Sequence, residues 1–214
     1  MRKELNMAVY HPETDEHGRA VLLKNPTTAT PLSAWNRADV AATVTPAGAL
    51  PAALNGIALR DWLDVPDSAQ AWSHVEGQYA FDEPPFHPPT GKMPAAGVVI
   101  QEPDGRFWLV APSNGFGGYT ATFPKGRVDG SGSRQASAIR EAYEEAGLKV
   151  NITGFLADSD RTQTYTRYYL AQRTGGNPAR MGWESQAVHL VPKEALADFL
   201  THLNDLPLLA LLLR

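Results

Sequence analysis

The chain has 214 residues, 43% hydrophobic and 20% charged, the balance of a folded domain plus a further segment rather than of a disordered chain. A formal net charge of −4 supplies no basic surface for a nucleic-acid polymer. With no cysteine, disulfides and thiolate chemistry are excluded. The start, MRKELNMAVYHPETDEHG, lacks the apolar core of a signal peptide, and the apolar run LPLLALLL is too short to span a bilayer. A cytoplasmic protein without a membrane partner is expected.

The first 82 residues carry no motif with nameable chemistry. HGRAVLLKN reads as a hairpin arm, VAATVT as a strand, and ALRDWLDV and AQAWSHV as short helical pieces. Trp35, Trp62 and Trp72 call for burial, within this segment, against the following domain or against a second copy of the chain. Residues 83–94, EPPFHPPTGKMP, are proline-rich and read as a stiff connector. The expected division is therefore 1–82 as an extension that pairs subunits in a homodimer or covers a pocket, 83–94 as connector, and 95–214 as the main domain.

Beyond the connector the pattern sharpens. AAGVVIQE and RFWLVAP, separated by the turn signal PDG, predict a hairpin. SNGFGGY is a glycine-rich loop in which Asn114 and Tyr119 are placed to line a pocket, and TATF follows as a short strand. Ser133 can cap a helix that runs to Ala146 and ends at Gly147. Its core stripe is Ala136, Ile139, Tyr143 and Ala146, which leaves Glu141, Glu144 and Glu145 toward the open side. Strands are predicted at 150–157 and 165–172, with Asp158, Asp160 and Arg161 as a polar turn between them. AVHLV reads as a strand with His189 packed inside, and KEALADFLTHL as a closing helix. This order of elements indicates an α+β fold.

The helix raises the chemical question. Glu141 stands three and four residues before Glu144 and Glu145, so like charges crowd one helical face. Such a cluster is either a solvated face or a platform for a cation. Hard divalent ions such as Mg2+ or Mn2+ take carboxylate and carbonyl oxygens. Arg140 keeps its proton and can orient a carboxylate in a fixed fork.

Residues 126–148 resemble the Nudix box, the signature of Nudix hydrolases. Gly126 stands at the opening glycine, Arg140 and Glu141 at the Arg-Glu pair, and Glu144 and Glu145 at the Glu-Glu pair. Gly147 and Leu148 close it, and FPKG is a familiar lead-in. Gly132 departs, standing where the family has its first glutamate. The resemblance implies an α/β/α sandwich with a mixed sheet from about Ala95 to the C-terminal helix. It implies metal-dependent hydrolysis of a diphosphate linkage, with Gly126, Glu141, Glu144 and Glu145 on Mg2+ or Mn2+ and Arg140 orienting them. The alternative, opened by Gly132, is a Nudix-fold nucleotide-binding or regulatory protein without turnover. Glu184, in GWESQAV, is a further catalytic or metal-assisting candidate, against a loop salt bridge. Lys125 and Arg127 flank the box glycine and can meet phosphates, against ordinary surface charge. Tyr165 stands eighteen residues after Gly147, where the family places a tyrosine in dinucleoside polyphosphate hydrolases; Gln163 and Thr164 occupy the region where proline marks ADP-ribose hydrolases. Tyr165 can stack on a base, although TYTRYYLA can equally be an aromatic strand in a core. The expected partner is thus a nucleotide-type small molecule, with dinucleoside polyphosphate ahead of ADP-ribose.

Overall fold

The computed structural model describes residues 8–128 and 132–214; part of the box, 129–131, lies outside the described residues. In chain order the elements are β1 (Val9–Thr14), β2 (Ala20–Leu23), β3 (Ala42–Val44), β4 (Ala53–Leu54), β5 (Ile57–Ala58), α1 (Ala69–Ser73), β6 (Met93–Ile100), β7 (Phe107–Pro112), β8 (Lys125–Arg127), α2 (Arg134–Ala146), β9 (Leu148–Asp160), β10 (Thr164–Gly176), β11 (Ser185–Val191), α3 (Leu196–Phe199) and α4 (Leu206–Leu212).

Two sheets form the body. The larger is mixed, in the order β8-β6-β10-β9, with β6 parallel to β10 and the other pairs antiparallel. The smaller is antiparallel, in the order β3-β11-β7. Strand β6 is apolar on both faces because both are covered. Val98 and Ile100 join the core that holds Ile139 and Ala142 of α2, while Val99 joins a second core with Leu196, Leu200 and Leu208 near the C-terminus. A sheet with helices on either face is the expected α/β/α layering.

Helix α2 starts and stops as its sequence dictates. Ser133 Oγ accepts the Ala136 N–H at 2.9 Å, and Gly147 closes the helix at φ 66°, a conformation glycine adopts without strain.

Several expectations are corrected. AAGVVIQE and RFWLVAP do not form one hairpin: β6 and β7 belong to different sheets and touch through a single bridge, Gln101 to Phe107. The chain changes sheet at this turn because the two strands find their backbone partners elsewhere, β6 on β8 and β10, β7 on β11. TATF makes a lone bridge, Thr122 to Val110, and the strand falls instead on Lys125–Arg127. ALRDWLDV is not helical; Arg60 bridges to Gly176 and Asp61 is bonded to Asn177 and Arg180. KEALADFLTHL breaks after Phe199 into separate short turns. Asp158 and Asp160 extend β9 rather than forming a turn, and Arg161 is buried in an ion pair with Asp205 at 2.8 Å.

The N-terminal segment is built into the same cores. Strand β3 is a rung of the smaller sheet, and Trp35 is buried against Trp108, ring centres 5.9 Å apart. Trp62 and Trp72 pack on Tyr143 of α2. Tyr79 exchanges two hydrogen bonds with the Gln135 side chain. The connector is held as well: Glu83 and the Pro84 carbonyl each accept from buried Arg167 at 2.9 Å, and Tyr169 Oη donates to Glu83. Among the described residues, no helix is long and apolar enough to cross a membrane.

Candidate active site

Strand β8 lies along α2 and brings the box glycine to the glutamates. A β-carbon on Gly126 would fall onto the Glu141 carboxylate, so a glycine is required for that close approach. One residue earlier, the Lys125 N–H donates to Glu145 Oε2 at 2.8 Å. Strand and helix are thus stitched together at the carboxylates themselves.

Glu141 and Glu145 do not face open solvent as the helical stripe suggested; both are buried, and Glu144 is the exposed one of the three. The reason is β8, which covers the flank of α2 that a helical wheel leaves bare. Arg140 lies between two of them, 3.8 Å from Glu141 and 3.6 Å from Glu144, and its guanidinium also reaches the Arg127 carbonyl at 3.5 Å.

The electrostatics follow from this crowding. Burial pushes the Glu141 carboxyl well up, Glu145 and Glu144 add to the rise, and Arg140 opposes it. Glu145 is raised chiefly by burial and further by Glu184 and Glu144, against Lys125 and its backbone N–H. Glu184 is exposed overall, yet lost hydration raises its carboxyl, Glu16 of the β1–β2 turn adds to this, and Lys125 counters it. Four box-side carboxylates therefore feel one another, and a fifth comes from the N-terminal hairpin.

Such a set fits a hard divalent cation by its chemistry: anionic oxygens, two of them buried, crowded by like charge that a cation would neutralise. Among the described residues, no three Asp, Glu, His or Cys side chains are gathered into a finished cation cage.

The other sequence candidates divide. Lys125 is at the carboxylates through its backbone, and its ammonium lies 5.3 Å from the Tyr119 ring centre. Arg127 is exposed at the end of β8. Tyr165 packs on Phe86 of the connector, centres 5.2 Å apart. Tyr119 accepts from Arg161 at 3.0 Å and Asn204 at 2.7 Å, which fixes its ring beside Lys125. Asn114 does structural work: its side chain bonds the Leu22 carbonyl and the Lys24 N–H, each at 2.8 Å, holding the β1–β2 hairpin. Sequence reasoning missed Glu16. Its turn is 168 positions from Glu184, and no local pattern links them.

Residues 91–212 match the NUDIX domain family. The RNA pyrophosphohydrolase of Caulobacter vibrioides is 34% identical over 95 residues, covering 44% of this chain and 52% of that protein. The RNA pyrophosphohydrolase of Tolumonas auensis is 31% identical over 104 residues, 49% and 53% of the two chains. The chain thus spans about half the length of the curated relatives it matches. Among solved structures, an ADP-ribose pyrophosphatase from Streptococcus suis aligns with a TM-score of 0.48 at 22% identity, over 56% of this chain and 89% of that one. The C. elegans Ap4A hydrolase binary complex aligns with a TM-score of 0.47 at 24% identity, over 55% and 92%.

Proposed function

The chain belongs to the Nudix family, and from that premise we propose that it is a metal-dependent pyrophosphohydrolase acting on a nucleoside diphosphate-linked substrate. The observation that carries this reading is the junction of β8 and α2, where Gly126 and Glu141 meet without room for a side chain and Lys125 binds Glu145. A solubility face would be exposed and would not need a glycine opposite a buried carboxylate.

The Gly126 carbonyl with Glu141, Glu144 and Glu145 would hold Mg2+ or Mn2+. Bound there, the ion supplies charge stabilisation at phosphoryl oxygens and acidifies a water. The chain's own residues do the rest. Arg140 orients Glu141 and Glu144. Lys125 and Arg127 present cations to the phosphates. Glu184, whose carboxyl feels the Lys125 charge, serves as a further acid or base. Water adds to one phosphorus, the bridging P–O bond breaks, and the bridging oxygen leaves with the second product. Residues 8–82 shape the mouth of this site, a role supported by the influence of Glu16 on Glu184 and by the Asn114 tether.

For the substrate we place dinucleoside polyphosphate ahead of ADP-ribose. The name of the bacterial relatives adds a 5′-polyphosphate RNA end, whose linkage is the same chemistry. A negative chain gives a long RNA body no counter-charge, which favours the small molecule. The second reading, a nucleotide-binding protein without turnover, rests on Gly132. One screen separates them all: diadenosine tetraphosphate, ADP-ribose and 5′-triphosphate RNA, each with Mg2+ and Mn2+, with products assigned by mass. Binding without product would establish the non-catalytic reading.

A further inference from the structure

The loop Ser113–Gly118 joins the two sides of the site. At its start, the Ser113 N–H donates to the Glu184 carbonyl at 2.7 Å and Ser113 Oγ to the Trp183 carbonyl at 2.7 Å. Past its end, the Tyr119 ring faces the Lys125 ammonium, and the Lys125 N–H binds Glu145. Both stems therefore touch residues that flank the carboxylates. Between them stands Phe116, 82% exposed. Gly115 and Gly117 flank it at φ 63° and 67°, so no neighbouring side chain shields the phenyl. A β-carbon on Gly115 would meet nothing within 4 Å, whereas one on Gly117 would press on the Tyr119 ring at 3.1 Å. The loop thus rests on Tyr119 on one side and is open on the other.

A phenyl left this wet, on a loop whose stems are fixed, is set apart from a core residue that has merely slipped outward. We propose that Phe116 is the platform on which the nucleobase of the substrate stacks, and so the residue by which this site favours a nucleotide over a bare polyphosphate. The inference rests on the reading of the substrate as nucleotide-linked. The carboxylates act on the diphosphate, which has no apolar surface, so the base must find its own contact nearby. Every nucleobase has a π face, and a flat exposed ring at the rim meets it without demanding one base over another. Asn114 and Tyr119 hold the loop in place, so little ordering opposes the contact.

The test compares Phe116→Ala, Phe116→Leu and Phe116→Trp in the full chain. The readouts are kcat and KM for diadenosine tetraphosphate and, by calorimetry, Kd for diadenosine tetraphosphate and for inorganic tetraphosphate. Alanine is expected to raise KM and Kd for the nucleotide about tenfold or more with kcat nearly unchanged. Tryptophan should restore both and leucine should not. Tetraphosphate affinity should move less than twofold. Equal recovery by leucine, an equal shift for tetraphosphate, or no shift for the nucleotide overturns the proposal. A change of molar mass in sedimentation with unaltered nucleotide affinity would make Phe116 a protein contact and overturns it too. If the wild type binds the nucleotide without cleaving it, the pyrophosphohydrolase reading fails while the Kd series still judges Phe116. If it neither binds nor cleaves, both fail.

Discussion

Glu141 and Glu145 are buried carboxylates among carboxylates, a placement that opposes folding unless a charge compensates. Neutral isosteres separate that burden from chemistry. Glu141→Gln and Glu145→Gln are expected to lower kcat by roughly two orders of magnitude or more, as loss of a positioned ligand or base does. In metal-free buffer their melting temperatures should match or exceed the wild type, because the repulsion is gone. Near-normal rates in both variants would remove these residues from the site. Gly132 is the complementary case. A β-carbon there meets nothing within 4 Å, and its φ is not in the left-handed region. Gly132→Glu, which restores the family's box residue, is therefore expected to fold normally and to leave kcat/KM unchanged or raised. A large fall in a well-folded variant would show a loop rebuilt around glycine.

Among the elements, β11 ties the N-terminal segment to the main domain and carries a titratable group into the join. His189 pairs across from Thr43 of β3, with its Nδ1 2.8 Å from Thr43 Oγ1, and Phe199 packs edge-on against the ring. Burial pulls its pKa from 6.5 down to about 4. The sign follows directly. Between these values the unfolded chain binds the proton and the folded one does not, so stability is full above about pH 6.5 and is lost as pH falls toward 4. From pH 7 to 5 the loss from this group is ~2 kcal/mol. Urea midpoints at the two pH values should fall further for the wild type than for His189→Gln, which can still bond Thr43. Equal falls would show that another group sets the acid limit.

At the scale of the whole molecule, residues 8–82 share a core with the two main sheets. Trp35 is fully buried, β3 completes the smaller sheet, and the Arg106 guanidinium donates to the Ala34, Trp35 and Arg37 carbonyls. Buried Arg173 likewise donates to the Leu54 carbonyl, and Arg167 to Glu83. A chain beginning at Lys92 would expose the faces under Trp35 and β3 and strip these arginines of partners. It is expected to aggregate or to lose its cooperative unfolding transition rather than to become a trimmed enzyme. A soluble truncated chain with the wild-type melting temperature and kcat/KM would refute this. A milder probe is Glu83→Ala, which leaves Arg167 with Asp158 and the Pro84 carbonyl but without its carboxylate partner on the connector. A lowered melting temperature is expected, since Arg167 stays buried.

The α2 boundaries, the order of the main strands and the carboxylate cluster were legible in the sequence. Each rests on contacts within a few residues: a serine cap, a closing glycine, apolar runs, and glutamates one turn apart. Its glycine-and-charge spacing also sufficed to mark the family. Distant pairings decided the remainder. Whether Glu141 faces water depends on β8, which no helical wheel contains. Whether β6 and β7 form a hairpin depends on the distant strands that pair with each, β8 and β10 for one and β11 for the other. The Glu16 charge reaches Glu184 because Asn114 and Gln186 anchor the hairpin and the stretch after it, the latter through the Asn25 carbonyl. The tryptophans announced burial, but their partners, Trp108 and Tyr143, lie far along the chain. Local backbone preference fixes an element's type; its neighbours are set by which apolar surfaces the folded chain brings together.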